Sequence, residues 1–509
     1  MQLARHWLDT CTEFHKKRCG PASSSLPTRV LDVWGSDELD DADMIRLIAT
    51  VENDAPYVAL SYCWGPPKEA KLVKVTTTET LSTHMAGILV GELPKNFQDA
   101  ILITRKLNIR YLWIDSLCII QDSPLDWDKE AGKMGDYYER ATIALSALCS
   151  PSSHTGFLHH RWLGNSRVDF RLENYETINV RKVSSSLGSQ GREKMPLWKR
   201  AWVVQERCLS SRILHFGSEQ MYWECRQSFV REDGHRAAMA SDGALMGPGC
   251  FVPGGERLKE KSYGRWYALI AAYSKRALTK EDDRLPALGG IAVRFQKVTK
   301  SDYLAGLWKD DIIRGLLWCR KNAGPRSPIP QQKKKRLAKE IEIGSSQRES
   351  NSSHEVPSWS WAAIGNHVVW DSTPQIAAGQ LSATCEVIEA KVTSLGPVHL
   401  GRVTQSSLHL RGFLAQSPLM LITTHHGSQG HLTKFENTRI CTTMDFIGGD
   451  ITYAYFLYVA NDTKLYYWLA ISQCTPSEGQ YRRVGLLRTN KAAHGHLIKD
   501  AEQDSVTII

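Results

Sequence analysis

The sequence lacks the short motifs that mark many common enzyme classes. It has no GxxxxGK[ST] loop and no GxGxxG turn after a strand, so ATP-driven and Rossmann-type chemistry has no signature here. HExxH and GxSxG are also missing, which removes the signatures of zinc proteases and serine hydrolases. The function must therefore be inferred from less common patterns.

Long apolar runs are missing as well. No segment approaches the roughly 18 to 20 apolar residues that a membrane-spanning helix requires. Residues 1–20 mix charged and apolar side chains, with neither the apolar stretch nor the cleavage site of a secretory signal. These features predict a cytoplasmic protein with no membrane segment.

None of the twelve cysteines forms a CxxC pair. The cysteines are spread singly, so neither a zinc ribbon nor a redox dithiol is indicated. The histidine pairs at 159–160 and 425–426 have no partner ligands at regular spacing. The sequence therefore predicts no metal site, and most thiols are expected to be buried, reduced and inert.

The composition is that of a globular protein of two or three domains, with 509 residues of which 42% are hydrophobic. The net charge of +9 is scattered, apart from a basic run at 333–336 that we interpret as a solvated loop rather than a nuclear address. Nucleic acid is therefore not expected as a partner. The sixteen tryptophans, many in polar segments, suggest aromatic-lined surfaces.

Apolar periodicity predicts an α/β fold in the first half of the chain. Buried strands are predicted at 57–65, 111–120, 142–146, 212–216 and 220–225, and helices beginning near Pro94, at Asp126 and at 198–209. Strands alternating with helices are typical of a mostly parallel sheet covered on both faces. Such sheets bind ligands outside the carboxyl ends of their strands.

The second half of the chain is predicted to contain a helical region followed by short strands. Residues 255–320 show helical stripes, one of which includes Leu304 and Leu307, and short alternating strands follow at 407–413, 454–459 and 465–471. The predicted segments are a leader (1–54), an α/β domain (55–235), a helical region (236–320), a linker or disordered loop (321–356) and a small β-rich C-terminal unit (357–509).

Four sequence blocks resemble, in order and spacing, the motifs of the fungal heterokaryon-incompatibility (HET) domain. They are ALSYCWG (59–65), LP with Asp99-Ala100 (93–100), YLWIDSLCIIQ with Asp126-Trp127, Glu130 and Met134 (111–134), and RAWVVQE with Leu209-Ser210 (200–210). Later segments, such as PSWSW (357–361) and YRRVG (481–485), resemble the flanking region of long family members. The resemblance covers most of the chain and assigns 55–235 as the HET domain.

This resemblance implies a role in discriminating self from non-self, in which incompatible fungal cells that fuse undergo programmed cell death. It also implies a distant similarity to Toll/interleukin-receptor (TIR) domains, which are flavodoxin-like sheets, some of which cleave NAD. In those domains a Phe-x-Ser-Tyr strand opens the fold and a Trp-Cys-x-x-Glu helix carries the catalytic glutamate. Leu60-Ser-Tyr62 and Trp202-Val-Val-Gln-Glu206 resemble these segments, with valine in place of the cysteine.

The resemblance makes Glu206 the candidate catalytic residue. A carboxylate near the ribose can stabilise the oxocarbenium-like centre that forms when the nicotinamide bond breaks. Candidate substrate-binding residues are Ser61, Trp64, Gly65, Asp115 and Trp202, the last by stacking on a ring of NAD. NAD would be a substrate, and no cofactor is predicted.

Structural explanations of the same residues stay open. Glu206 could be a helix residue paired with Arg207 or Arg200. Asp115 could cap a helix or hold the loop after its strand, and Glu130 could bond a neighbouring backbone group or arginine. The tryptophans could be core residues, and a thiol nucleophile at Cys63 or Cys118 is not favoured because no histidine lies nearby in sequence.

Two functions remain from the sequence. One is an NAD-hydrolysing effector that stays inactive until the rest of the chain or a partner brings copies together. The other is a non-catalytic signalling module that acts through protein–protein contacts. Nucleic-acid binding ranks last.

Overall fold

The computed structural model of the chain describes a defined set of residues. They are 1–21, 24–34, 43–50, 53–158, 167–171, 177–181, 195–233, 247–248, 259–321, 356–364, 367–370, 381–394, 403–424, 427–432, 442–444, 453–475 and 479–509. The chain divides into unit 1, residues 1–253 with 276–295, and unit 2, residues 254–275 with 296–509. The predicted linker falls almost entirely outside the described residues.

The described helices and strands are as follows. The helices are α1 (Gln2–Phe14), α2 (Lys16–Cys19), α3 (Pro67–Ala70), α4 (Leu81–Ala86), α5 (Lys95–Lys106), α6 (Asp115–Cys118), α7 (Pro124–Arg140), α8 (Val203–Leu209), α9 (Lys259–Tyr273), α10 (Gly289–Thr299), α11 (Ile312–Gly315) and α12 (Lys491–Lys499). The strands up to the middle of the chain are β1 (Ser24–Ser25), β2 (Arg29–Asp32), β3 (Met44–Ala49), β4 (Asp54–Ala55), β5 (Tyr57–Ser61), β6 (Ile88–Leu89), β7 (Tyr111–Trp113), β8 (Ile143–Ser146), β9 (Arg167–Arg171), β10 (Thr177–Arg181), β11 (Arg212–Phe216), β12 (Met221–Cys225) and β13 (Phe229–Arg231). The later strands are β14 (Tyr303–Leu304), β15 (Leu307–Trp308), β16 (Trp318–Arg320), β17 (Val368–Trp370), β18 (Ser382–Ala383), β19 (Glu386–Ser394), β20 (Val403–Thr424), β21 (Gly427–Leu432), β22 (Thr442–Met444), β23 (Tyr453–Asn461), β24 (Tyr466–Thr475), β25 (Gln480–Thr489) and β26 (Glu502–Ile508).

Unit 1 is built on a nine-stranded sheet with the order β13-β12-β11-β8-β5-β7-β2-β3-β6 among the described strands. The central strands β7, β5, β8 and β11 are parallel, whereas β2 and β12 pair with them antiparallel on either side. The sheet is therefore mixed, and the predicted mostly parallel character holds for the centre alone. Every residue of β5, β8 and β11 is buried, because both faces of the sheet are covered.

Local sequence signals account for the helices that flank the central strands. Pro94 precedes the first residue of α5, and the Ser123 hydroxyl caps α7 by accepting a hydrogen bond from the Asp126 amide. The helix predicted to begin at Asp126 thus begins two residues earlier, at Pro124. The strand predicted at 111–120 ends at Trp113, because Asp115 begins the helical turn α6.

The N-terminal segment belongs to the core of unit 1. Helix α1 buries Ala4, Trp7, Leu8 and Cys11, which recur at helical spacing. These residues join the same apolar cluster as the central strands. The segment predicted as a leader also supplies β2 and β3 to the main sheet.

Unit 2 contains α9, where the first of two helical stripes was predicted, and a small hairpin where the second stripe was predicted to begin. Leu304 and Leu307 lie in β14 and β15, which pair antiparallel. The turn between them requires positive φ at Ala305 (47°) and Gly306 (97°), which ends any helix there. The helical prediction for these two leucines was therefore wrong.

The C-terminal strands of unit 2 form a second nine-stranded sheet among the residues described. Its order is β18-β23-β24-β25-β22-β21-β20-β19, with β26 pairing β20 and β25. The predicted strands at 454–459 and 465–471 fall within β23 and β24, and 407–413 falls within β20. The β-rich character predicted for this region agrees with the structure.

Candidate functional site

Polar side chains of three parallel strands line up at the carboxyl end of the central sheet of unit 1. Ser61 of β5 is paired in register with Ser146 of β8, and Ser146 with His215 of β11. Asp115 follows the end of β7 on the other side of β5. Open α/β sheets bind ligands at this edge, outside the carboxyl ends of their strands.

Glu206 lies over this edge from helix α8. Its side-chain Oε2 accepts a hydrogen bond from the Ser61 hydroxyl, and the two residues are only 9% and 5% exposed. The helix is held in place by its neighbour Gln205, whose Oε1 accepts a hydrogen bond from the Gly290 amide at 2.6 Å. The structure thus brings together two of the residues that the sequence marked as candidates.

The environment of Glu206 disfavours its charged form. Burial raises the pKa of the carboxyl from 4.5 to about 7, although the nearby Arg200 charge and the Ser61 hydrogen bond act in the opposite direction. At neutral pH the side chain therefore exists in both protonation states. A carboxyl group with this property is suited to proton transfer.

Arg200, the first residue of the RAWVVQE block, makes a hydrogen bond that fixes its position. Its guanidinium Nη1 donates a hydrogen bond to the Tyr62 carbonyl oxygen, directly after β5. Burial opposes the charge of Arg200, but Cys63, Glu206 and Asp115 outweigh that effect and raise its pKa. Arg200 therefore couples the end of β5 to the segment that leads into α8.

One explanation of the sequence paired Glu206 with Arg207, but the structure pairs Arg207 with Glu224 instead. Its Nε and Nη2 donate to the two carboxylate oxygens of Glu224 at 2.8 and 2.7 Å, and Nε2 of His215 lies 2.9 Å from Glu224 Oε2. Burial disfavours the charge of Glu224, yet Arg207 and His215 lower its pKa to about 2. Sequence reasoning missed this buried group, because Glu224 lies two strands away from the motif.

Asp115 is occupied by structural hydrogen bonds. Its Oδ1 accepts from the Tyr62 hydroxyl at 2.8 Å and from the Ser116 amide at 2.7 Å, and its Oδ2 accepts from the Trp64 indole at 3.1 Å. These contacts join the end of β7 to the end of β5. The geometry favours the structural explanation of Asp115, which holds the loop after its strand.

Trp64 and Gly65 form the turn that follows β5. Gly65 has a φ of +109°, and a Cβ there would lie 2.7 Å from the Ser152 hydroxyl oxygen. The turn therefore requires glycine both for its backbone conformation and for its close approach to the loop after β8.

Trp202, the residue that precedes α8, is half-buried, and its indole donates to Asp283 Oδ2 at 3.3 Å. Its ring also packs against the core of unit 1. The stacking role predicted for Trp202 stays a prediction.

A small cavity lies beside the carboxylate of Glu206. It is lined by Ser61, Tyr138, Ala144, Ser146, Trp198, Val203, Glu206, Arg207, Ile213 and His215. The space accommodates about one water molecule, far less than the several hundred Å³ of a typical ligand pocket. Trp64, Gly65, Asp115 and Trp202 are not among its lining residues.

Other acids of the motif blocks have structural contacts. Glu130 is fully buried and accepts a hydrogen bond from the Tyr137 hydroxyl at 2.7 Å, where a backbone group or an arginine was expected. Asp99 accepts from the amides of Phe157 and Leu158 at 2.8 and 3.0 Å. These acids hold loops of unit 1 in place.

The thiols near the site are unsuited to nucleophilic chemistry. Burial raises the pKa of Cys63, and it raises that of Cys118 to about 12. Both are therefore thiols rather than thiolates at neutral pH, which agrees with the expectation from the sequence. Among the described residues, side chains with metal-ligand spacing gather elsewhere, at Cys11, His15, Cys19 and Cys225.

Comparison with known proteins identifies one domain of the chain. Residues 57–206 match the family model of the heterokaryon incompatibility protein (HET), which spans less than a third of the chain. The match begins with β5 and ends at Glu206, within the predicted bounds of 55–235. No curated protein and no solved structure matches this chain. In the described part of the chain, no helix combines the length and apolar character needed to cross a membrane.

Proposed function

We propose, from the premise that residues 57–206 are a HET domain, that this protein is a heterokaryon-incompatibility effector that triggers programmed cell death by hydrolysing NAD. One observation carries the enzymatic part of the proposal. The buried carboxyl of Glu206 accepts a hydrogen bond from Ser61 at the carboxyl ends of parallel strands. The flavodoxin/TIR-like character of the domain is part of the same proposal, and it is supported by the four central parallel strands.

The reaction would break the bond between nicotinamide nitrogen and ribose C1′. The bonding electron pair leaves with nicotinamide, which departs as a neutral base, and water adds to C1′ and loses one proton. Ionised Glu206 would stabilise the positive charge that develops on the ribose, or hold a ribose hydroxyl. Its pKa of about 7 would also let it accept the proton of the attacking water.

The small size of the cavity implies that activation must enlarge the space beside Glu206. Because the space beside Glu206 accommodates about one water molecule, a dinucleotide requires the edge of the sheet to open. We expect self-association, or a partner protein, to stabilise the open arrangement, since a ligand or partner shifts a protein toward the state that it binds better. The protein would then be inactive until copies are brought together.

The test uses full-length protein that is forced to oligomerise through a fused tag and incubated with NAD. We expect nicotinamide release by the wild type and loss of release by Glu206→Gln, while Glu219→Gln, which changes an exposed acid of unit 1, keeps the activity. Circular dichroism and thermal unfolding establish that all three proteins are folded. Equal inactivity of folded wild type and Glu206→Gln would rule out the enzymatic proposal.

A second candidate function is a non-catalytic signalling module. It is favoured by the tight closure of the edge, where Asp115 is bonded to Tyr62, Trp64 and Ser116 and little free space remains. In this case Glu206→Gln would leave toxicity in fungal cells intact. Charge reversal at exposed Asp128 and Lys129 of α7 would abolish toxicity instead, because a protein partner would bind through exposed charged side chains of this kind.

A further inference from the structure

Four side chains of metal-binding type gather in unit 1, away from the edge described above. The ligand atoms of Cys11, His15, Cys19 and Cys225 all lie within 4.8 Å of one another. Cys11 comes from α1, His15 from the junction of α1 and α2, Cys19 from the end of α2 and Cys225 from the end of β12. We propose that these four residues bind a structural zinc ion.

The spacing along the chain suits this role. Cys11, His15 and Cys19 are four residues apart where α1 meets α2. The His15 amide bonds the Cys11 carbonyl oxygen at 3.1 Å and the Cys19 amide bonds the His15 carbonyl oxygen at 2.9 Å, so each residue follows the previous one by about one turn. The same i, i+4 spacing places two zinc-binding histidines on one helix face in HExxH motifs. The prediction of no metal was based on the lack of CxxC pairs, and Cys225 is far from the other three ligands in sequence.

The distances also suit a tetrahedral ion. Zinc–sulfur bonds of about 2.3 Å and zinc–nitrogen bonds of about 2.0 Å place neighbouring ligand atoms about 3.5 to 3.8 Å apart. Nδ1 of His15 lies 3.5 Å from Sγ of Cys225, within that range. Since all four ligand atoms lie within 4.8 Å of one another, no pair has to approach by more than about 1 Å to reach this spacing.

The charge balance of the site favours a metal bound by thiolates. Three thiolates, a neutral histidine and Zn²⁺ carry a net charge of about −1. Arg212 is fully buried beside the cluster, pairs in register with Cys225, and donates from Nη2 to the Gly20 carbonyl oxygen at 2.7 Å. Its positive charge lies beside the cluster and would offset the charge of the complex.

Hydrogen bonds around Cys225 resemble the outer shell of a zinc–thiolate site. The Ser228 amide donates to Sγ of Cys225 at 3.3 Å, and the Ser228 hydroxyl oxygen lies 3.2 Å from the same sulfur. Such contacts orient a metal ligand and stabilise a thiolate. They are built into the tight turn between β12 and β13, where the Cys225 amide also bonds the Ser228 carbonyl oxygen.

The site is closed, which is typical of a structural rather than a catalytic ion. Three of the four ligands are buried, and three cysteines with one histidine complete a tetrahedral set with no open position. Cys225 lies opposite Arg212, the first residue of β11, whereas His215 of the candidate site lies further toward the other end of that strand. The ion would join α1 and α2 to the antiparallel side of the sheet.

The experiment uses the full-length protein purified under reducing conditions from zinc-supplemented cells. Elemental analysis is expected to find one zinc ion per chain. After exchange for Co²⁺, we expect an intense visible spectrum of tetrahedral cobalt together with sulfur-to-cobalt charge-transfer bands. Cys225→Ser should lose the bound zinc, and the control Cys118→Ser, which removes a buried thiol outside the cluster, should retain it.

His15→Asn provides a second variant in case Cys225→Ser does not fold. Because His15 is only partly buried, its replacement should leave the fold intact, lower zinc affinity and shift the cobalt spectrum. The proposal is overturned if the folded wild type contains no zinc and gives no cobalt spectrum. It is also overturned if non-reducing peptide mapping of protein from the cytoplasm of its host finds two of the three cysteines linked as a disulfide.

Discussion

Glu206 and Arg207 are neighbours in α8, yet their side chains bond to different groups in unit 1. Glu206 accepts a hydrogen bond from Ser61, and Arg207 forms a two-point ion pair with Glu224. Burial raises the pKa of Glu206, whereas the ion pair with Arg207 lowers that of Glu224. The pKa values of these two carboxyl groups are therefore shifted in opposite directions, so their contributions to the free energy of unfolding depend on pH with opposite signs. Each dependence can be measured.

Replacement of Glu206 by glutamine should stabilise unit 1 above neutral pH. The folded protein holds the Glu206 proton up to about pH 7, whereas the unfolded chain releases it near 4.5. The stabilising effect of this proton is complete below 4.5 and is lost as pH rises through 7. Glu206→Gln should therefore increase the free energy of unfolding by at most about 3 kcal/mol near pH 8.

The measurement for Glu206→Gln is urea denaturation at about pH 5 and about pH 8. The gain over the wild type should be small at the lower pH and larger at the higher one, since the wild-type acid is mostly protonated at the lower pH. Glu219→Gln, at an exposed position, should show no such difference. A gain that is equal at both pH values would contradict the raised pKa.

Replacement of Glu224 by glutamine should destabilise unit 1 by about 3 to 5 kcal/mol, because it removes the negative charge that pairs with buried Arg207. Since the pKa of Glu224 is lowered from 4.5 to about 2, its contribution is present above 4.5 and is lost as pH falls toward 2. Denaturant midpoints measured between about pH 3 and about pH 7 test both statements. A variant as stable as the wild type at neutral pH would argue against the ion pair.

Replacement of Gly65 by alanine should destabilise the turn after β5 by about 1 to 3 kcal/mol. The positive φ of Gly65 is unfavourable for alanine, and the added Cβ would meet the Ser152 hydroxyl. Gly91→Ala is a matched control, because a Cβ at Gly91 meets nothing within 4 Å. Thermal unfolding should separate the two variants, and equal melting temperatures would be the contrary result.

Replacement of Arg483 by lysine should destabilise unit 2. Arg483 is fully buried, and its guanidinium donates to the carbonyl oxygens of Leu316 at 2.6 Å and Trp318 at 2.5 Å while it stacks on the Trp318 ring. Lysine cannot reproduce this planar two-point contact, so a loss of about 2 to 4 kcal/mol is expected. Arg482→Lys, at the exposed neighbouring position, should change the unfolding free energy little.

Local patterns were sufficient to predict much of the fold. The buried strand at 212–216 was predicted with its observed bounds. Helix α5 was predicted from Pro94 next to an apolar stripe, and α7 from the stripe that follows Asp126. The hairpin at Leu304 and Leu307 was missed, because an apolar spacing that suits a helix does not reveal a turn that depends on positive φ. The antiparallel edges of the main sheet were missed for a related reason, since strand direction depends on partners that are distant in sequence.

The order of the motif blocks resembled that of the HET domain, and residues 57–206 match the family model of that name. The blocks also pointed to Ser61 and Glu206, which chain folding brings into a hydrogen bond across 145 residues. Only the tertiary structure shows that Arg207 pairs with Glu224 and that Cys225 lies close to Cys11, His15 and Cys19. Helix and turn signals act over a few residues and are legible in the sequence, whereas side-chain partners depend on how buried surfaces pack together.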